Sequence, residues 1–197
     1  MENILTKTTS IAMYMTAGYL REGDFAVDAT CGNGHDTLSL ALAVGQSGSV
    51  LALDVQEEAA AATKALVEAH GLGNVTVRRE NFINLKNAVR DTEQLRIYGQ
   101  APSAVVFNLG YLPGGDKTFT TKMEDTLLAV AQALELIQSG GIVTVVLYSG
   151  HEAGAAEKAA LLEMAEDLPS DRYHVVYTRL LNQKKDPPEV LFITKKK

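Results

Sequence analysis

Seven short segments rich in β-branched and aromatic residues recur along this chain, with stretches of helical character between the early ones. They are FAVDAT (25–30), SVLALDV (49–55), NVTVRR (74–79), SAVVFNL (103–109), IVTVVLY (142–148), YHVVYTRLL (173–181) and EVLFIT (189–194). Parallel strands must be joined by crossovers long enough for a helix, and strands buried on both faces read as nearly unbroken apolar runs. TLSLALAVG (37–45) and EEAAAATKALVEAHG (57–71) are such crossovers. The second has Glu57 and Glu58 in its first turn and Gly71 as its stop, so propensity, dipole and cap agree. The pattern predicts an α/β fold around a mostly parallel, doubly covered sheet.

The later stretches keep the rhythm. From Met123, the positions Leu127, Leu128, Ala131, Leu134 and Ile137 recur at three- and four-residue steps and predict a helix that ends before Gly140 and Gly141. A further helix over 152–168 carries Ala156, Ala159, Ala160, Leu162 and Met164. Only NQKKDPP (182–188) separates the last two strands, too short for a crossover helix, so these form a terminal antiparallel hairpin. Five parallel units followed by a reversed strand result. Residues 4–22 read as one or two helices with Ile11, Tyr14, Met15, Gly18 and Tyr19 on one side, placed to cover the sheet or roof a cleft. Lys195, Lys196 and Lys197 read as a frayed, solvated tail.

A length of 197 residues with 46% hydrophobic and 21% charged side chains suits one domain spanning 1–197 and argues against disordered or repeat classes. The formal charge of -6 gives no global field for nucleic acid or anionic lipid and leaves only local basic patches for such work. One cysteine rules out an internal disulfide framework and a thiolate metal cluster. No apolar run approaches the roughly 20 residues of a membrane helix, and the first 20 residues lack a secretory pattern, which makes the cytoplasm the default location.

The sharpest local feature is DATCGNGHDT (28–37), where a strand runs into Gly32 and Gly34 and a helix follows at once. Two glycines permit a tight turn with unusual φ and a close approach of a ligand to backbone. Twenty residues past Gly34, Asp54 closes the second strand, where a carboxylate can accept from both hydroxyls of a ribose. The spacing points to a nucleoside cofactor. No Lys follows the glycines, which excludes a GxxxxGK[ST] phosphate loop. A third glycine is missing too, and His35 with Asp36 opens the helix, so the turn fits a dinucleotide pyrophosphate poorly. Asp28 ahead of the turn suits a cationic or zwitterionic ligand instead.

Asp28, Gly32 and Gly34 resemble the first motif of class I S-adenosylmethionine-dependent methyltransferases, and Asp54 their ribose-binding acid. The seven strands with a terminal reversed hairpin resemble their Rossmann-like fold. More narrowly, DATCGNGHDTLSLA, ALDVQ, FNLGYLPGGDK and YSGHEAG look like a small bacterial family of putative rRNA methylases. Members of it are assigned as tRNA methyltransferases acting on 5-aminomethyl-2-thiouridine at the wobble position. The resemblance implies S-adenosylmethionine as cofactor and no metal. It implies that Asp28 and the backbone of Gly32, Asn33 and Gly34 hold the methionine portion, with His35, Asp36 and Asn108 also among the cofactor-binding residues. By the same resemblance Asp54 and Gln56 hold the ribose, while Asn81 and Phe82 border the adenine; Asn81 also reads as a surface cap.

After the fourth strand comes NLGYLPGGDKTF (108–119). Ligands of parallel α/β folds lie beyond the carboxyl ends of the strands, so Asn108, Gly110 and Tyr111 are expected to face the transferable methyl. Amino-methylating class I enzymes often carry [ND]PP[YFW] at this place; here Asn-Leu-Gly-Tyr keeps the two chemical ends without the prolines. That leaves room for a flexible alkylamine. Such an amine, with a solution pKa near that of lysine at about 10.4, must lose a proton before it attacks. Tyr111, Asp116, His151 and Glu152 follow strands four and five; Asn108 and Tyr111 are expected to position the acceptor and His151 to handle the proton.

His35 reads as a cap rather than a metal ligand, and Cys31 lies inside the turn with no base beside it. Small basic groups, Arg78 with Arg79, Lys117 with Lys122, and Lys184 with Lys185, are candidate contacts to phosphates or plain solvated surface. Lys117 and Lys184 sit in loops able to rim the cleft. The implied partner is tRNA in its anticodon region, with recognition built on the catalytic domain and, in one arrangement, on a homodimer. Ribosomal RNA or small-molecule N-methylation shares the cofactor half, and a noncatalytic RNA-binding protein is the alternative of another class.

Overall fold

The computed structural model describes residues 3–110, 122–150, 152–184 and 186–197. Seven strands form one sheet: β1 (Phe25–Asp28), β2 (Ser49–Asp54), β3 (Val75–Arg79), β4 (Ala104–Asn108), β5 (Ile142–Leu147), β6 (Tyr173–Thr178) and β7 (Glu189–Lys195). Their spatial order is β3-β2-β1-β4-β5-β7-β6. β1 to β5 pair in parallel, and β7 runs antiparallel to both β5 and β6. The reversed strand therefore slots between β5 and β6, which itself points the same way as β1 to β5. The Rossmann-like expectation holds, and β1 and β4 flank the point where strand order reverses, the place where such sheets bind ligands.

Strand side chains alternate between two apolar layers. Phe25, Val27, Leu51, Leu53, Val105, Phe107, Val143 and Val145 face one layer; Ala26, Val50, Val106, Ile142 and Val146 face the other. The first layer is closed by α4 (Leu85–Arg90), α6 (Met123–Leu136) and α7 (Glu152–Glu166). The second is closed by α1 (Thr8–Ala17) and α2 (His35–Val44). α3 (Glu57–Ala69) packs on β2, β3 and α2, and ends at Gly71, whose φ of +67° is the left-handed stop expected there. A short helix, α5 (Glu93–Arg96), is capped by the Thr92 hydroxyl. Neither it nor α4 stood out in the sequence, because each is too brief to show a period.

Three helix faces differ from the sequence reading. In α1 the residues turned to the sheet are Thr8, Ala12 and Thr16, while Tyr14, Met15 and Tyr19 are exposed. The Thr16 hydroxyl meets that of Thr144 in β5 at 2.7 Å, and a polar contact with small neighbours brings helix and sheet closer than the aromatic side would. In α6 the buried stripe is Thr126, Ala129, Val130, Ala133 and Leu134, with Leu128 turned to solvent. In α7 it is Gly154, Glu157, Leu161 and Ala165, because the Glu157 carboxylate accepts from the Thr126 hydroxyl at 2.6 Å and is carried inside. Ala156 and Ala159 are exposed.

The terminal lysines are no frayed tail. Lys195 ends β7 opposite Tyr173, and its ammonium donates to the carbonyls of Leu134, Ile137 and Glu135 at 3.1, 2.9 and 3.3 Å. A cation set against the carbonyl end of α6 is favourable by charge and by hydrogen bonding together.

Candidate cofactor and acceptor site

β1 ends at Asp28, which has no exposed surface. Its Oδ1 accepts the backbone N–H of Thr30 at 3.1 Å and its Oδ2 the hydroxyl of Thr37 at 2.6 Å, so the carboxylate braces the turn from beneath. The turn is fixed elsewhere as well. Cys31 N–H donates to the Leu53 carbonyl at 2.8 Å, Gly32 N–H to Asp54 Oδ2 at 3.0 Å, and the Thr63 hydroxyl of α3 to the Gly32 carbonyl at 3.0 Å. Gly32 and Gly34 both have positive φ, +49° and +84°. At Gly34 a Cβ would come within 2.9 Å of the Thr63 Cα, so this glycine is required by close packing on α3. Asn33 and His35 are exposed, whereas Asp36 is half-buried.

Asp54 stands half-buried at the end of β2, with Oδ1 accepting from the Gln56 N–H at 2.9 Å. Each of its oxygens has spent one lone pair on backbone, and a second is left for a ligand hydroxyl. After β3, Asn81 uses its side-chain oxygen to cap the 3-10 turn Phe82–Asn84 through the Ile83 N–H at 3.0 Å. Phe82 stands edge-on to Phe107, ring centroids 6.2 Å apart, and packs against the α6 layer.

Asn108 ends β4 and is fastened to the glycine turn and the helix behind it twice. Its N–H donates to the Thr30 hydroxyl at 2.7 Å, and its side-chain Nδ2 donates to Asp36 Oδ2 at 3.0 Å. Gly110 follows with φ +128° against the Tyr148 ring. Tyr111, Asp116, Lys117, His151 and Lys185 lie outside the described residues. Of the other basic candidates, Arg79 pairs with Glu57 at 3.1 Å and Arg78 donates to the Ala88 carbonyl, while Lys122 and Lys184 are exposed.

Three carboxylates, Asp28, Asp36 and Asp54, thus converge on one turn, and among the described residues none forms an ion pair with Lys or Arg. Burial, then the charge of Asp36, pushes the Asp28 carboxyl up to about 7. Burial also raises Asp36, against the pull of the Asn108 amide and His35. Cys31 is pushed up to about 12, by burial first and then by Asp28, which makes it an inert thiol. A crevice lined by three acids with no Lys or Arg paired to them among the described residues fits S-adenosylmethionine, whose sulfonium and ammonium are cationic, and does not fit a pyrophosphate. No group of three His, Cys, Asp or Glu at metal-binding distance occurs among the described residues, and no helix among them is long and apolar enough to cross a membrane.

The sequence missed Thr30, Thr37 and Thr63, which stitch turn, strand and helix together. Hydroxyls two and nine residues past Asp28 were the available signal for the first two; Thr63 carries none, because its partner is 31 residues away.

Comparison with known proteins agrees with this geometry. Residues 50–194 match the model of the family described as putative rRNA methylase. The chain is 31% identical over 187 residues to the chloroplastic tRNA (mnm(5)s(2)U34)-methyltransferase of Arabidopsis thaliana, covering 90% of this chain and 65% of that relative's length. A solved structure described as a putative rRNA-methylase from Clostridium thermocellum superposes with a TM-score of 0.86 at 36% identity, covering 96% of this chain and 98% of the other. A structure described as a putative methyltransferase from Streptococcus mutans in complex with SAH gives a TM-score of 0.83 at 29% identity, with 96% and 98% covered. The chain belongs to the putative rRNA methylase family and is a class I S-adenosylmethionine-dependent methyltransferase.

Proposed function

With that family as premise, we propose that the chain methylates the 5-aminomethyl group of a modified (2-thio)uridine at the tRNA wobble position. The observation that supports the acceptor side is Asn108, whose backbone N–H donates to the Thr30 hydroxyl in the turn assigned here to the methyl donor. The wobble uridine is suggested by the Arabidopsis relative, whose name states that activity.

S-adenosylmethionine supplies a methyl already activated by its sulfonium. Asp54, with Gln56 beside it, accepts the ribose hydroxyls. Asp28 and Asp36 lend the crevice negative charge for the cationic cofactor, and the turn Gly32, Asn33, Gly34 and His35 lines the methionine end. Asn81 and Phe82 are assigned to the adenine border, Asn81 through the amide hydrogens its capping bond leaves free. For the acceptor, the side-chain oxygen of Asn108 takes one amine hydrogen, and Tyr111 stacks on the base. His151 accepts the proton that the amine must lose. The protein's contribution is alignment of a neutral nitrogen within about 3–3.5 Å of the methyl carbon.

Lys117 and Lys184 are proposed phosphate contacts to the anticodon region, the cytoplasm is the proposed compartment, and a homodimer, checked by sedimentation of the purified chain, is the proposed assembly. Ribosomal RNA is the second substrate reading, favoured by the family description. Transfer of a labelled methyl to bulk tRNA carrying 5-aminomethyl-2-thiouridine, with ribosomal RNA alongside and nucleoside mass spectrometry after it, separates them. A methylated aminomethyl product confined to tRNA supports the proposal; label confined to ribosomal RNA overturns it.

A further inference from the structure

Asp36 sits in the first turn of α2, where the resemblance placed it among the cofactor residues. A carboxylate there also suits the helix dipole, which is the plain structural explanation for it. Its contact tells more: Oδ2 accepts Asn108 Nδ2 at 3.0 Å across 72 residues of sequence. An ionised carboxylate has only acceptor lone pairs, whereas a primary amide offers a donor end and an acceptor end. Facing Asp36, Asn108 can bond only through its NH2, and its carbonyl oxygen is then directed away from α2. The backbone of Asn108 is pinned independently by Thr30 and by its place in β4, so the amide turn about the side-chain bond is the one freedom left to settle.

We propose that Asp36 is a positioning residue: it fixes the amide of Asn108 so that the carbonyl oxygen, not the NH2, is presented to the acceptor. A presented carbonyl selects nucleophiles that carry a hydrogen to donate, such as a primary amine, and rejects one that only accepts. The selection rests on the proposed role of Asn108 at the acceptor; the orientation itself does not. Asp28 and Asp54 share the turn with Asp36, but their hydrogen bonds go to Thr30, Thr37, Gly32 and Gln56, so aiming the amide falls to Asp36.

The exchange of the pair tests it. In Asp36→Asn the partner can donate or accept, so Asn108 is free to turn, and kcat on the aminomethyl substrate is expected to fall roughly 10- to 100-fold, the scale of a misplaced reactant. Asp36→Asn also removes charge from the crevice assigned to the cofactor, so calorimetric affinity for S-adenosylhomocysteine is expected to fall too, by about threefold and thus by less than kcat. Asn108→Asp alone sets two carboxylates face to face and also loses turnover. In the double variant Asp36→Asn/Asn108→Asp the amide at position 36 donates to the carboxylate at 108, an acceptor oxygen faces the substrate again, and turnover recovers above either single variant. A role for Asp36 in the α2 dipole alone, independent of Asn108, predicts additive losses. A second readout needs no substrate: in 15N spectra of the ligand-free protein the Asn108 side-chain NH2 is expected to exchange slowly with water, and to lose that protection in Asp36→Ala. Losses in turnover that track losses in S-adenosylhomocysteine affinity, additive losses in the double variant, or an Asn108 NH2 unaffected by Asp36→Ala would each overturn the proposal. If the wild type methylates no RNA amine, the proposed substrate falls, while the NH2 exchange still decides the role of Asp36.

Discussion

The Thr37 hydroxyl donates to Asp28 Oδ2 at 2.6 Å, beneath a turn that leaves this carboxylate no exposed surface. Two hydrogen bonds do not offset its burial beside Asp36 and Asp54, so its pKa rises to about 7. In the unfolded chain it ionises near the ordinary carboxyl value of 3.8. Between those values the native state holds a proton the unfolded state has lost, so stability falls as pH rises through that window and levels off above it. Asp28→Asn keeps both contacts, since its oxygen accepts from Thr30 and its NH2 can donate to Thr37. The substitution is expected to stabilise the ligand-free protein above pH ~7 by on the order of 1–3 kcal/mol and to remove most of the slope, Asp36 supplying what remains. Urea unfolding at a series of pH values, wild type against variant, measures it; an unchanged slope would show that Asp28 is ionised in the native state throughout.

The Asp54 carboxylate proposed to meet a ribose hydroxyl is also the one that holds the Gly32 N–H. Asp54→Ala removes both, and the affinity for S-adenosylhomocysteine is expected to drop roughly 10- to 100-fold, about 1.4–2.8 kcal/mol. Calorimetry on the folded variant is the check, and unchanged affinity removes Asp54 from the site.

Gly34→Ala strains the backbone at φ +84° and drives a Cβ to 2.9 Å from the Thr63 Cα. A loss of at least about 1–3 kcal/mol in stability is expected. Because the atom struck is backbone, adding Thr63→Ala should bring no recovery in the melting temperature; recovery would mean that the Thr63 side chain made the clash.

Thr16 spends its proton on the Ala12 carbonyl at 2.8 Å, so in its contact with Thr144 the latter is the donor. Thr16→Val leaves the buried Thr144 hydroxyl without that acceptor and is expected to cost about 1–3 kcal/mol, whereas the double variant with Thr144→Val regains part of it. A double-mutant cycle by chemical denaturation reads the coupling, and a value of zero would mean that α1 is held to β5 by apolar contact alone.

Lys195→Met keeps the apolar stem and deletes the ammonium that bonds three carbonyls at the end of α6. The expected cost is about 1–2 kcal/mol. Equal melting temperatures for variant and wild type would return this residue to the solvated tail that its place in the sequence suggests.

The sequence alone determined the seven strands, the helical crossovers after β1, β2, β4 and β5, the terminal hairpin, and the turn formed by Asp28 with its glycines and Asp54 at the end of β2. These are local properties: periodicity, turn chemistry and spacing within one βαβ unit carry them. The tertiary structure decided which faces were buried. Glu157 goes inside because Thr126 waits for it, Leu128 stays outside because Ala129 and Ala133 allow a closer approach, and Tyr14 and Tyr19 yield to Thr16 because Thr144 lies opposite. It also decided the wiring of the site. That Asp36 bonds Asn108, that Gly34 is shaped by α3, and that Lys195 caps α6 depend on pairs separated by 72, 29 and about 60 residues. Each residue of such a pair has an ordinary local explanation, and only the folded sheet brings the partners within hydrogen-bond or van der Waals distance.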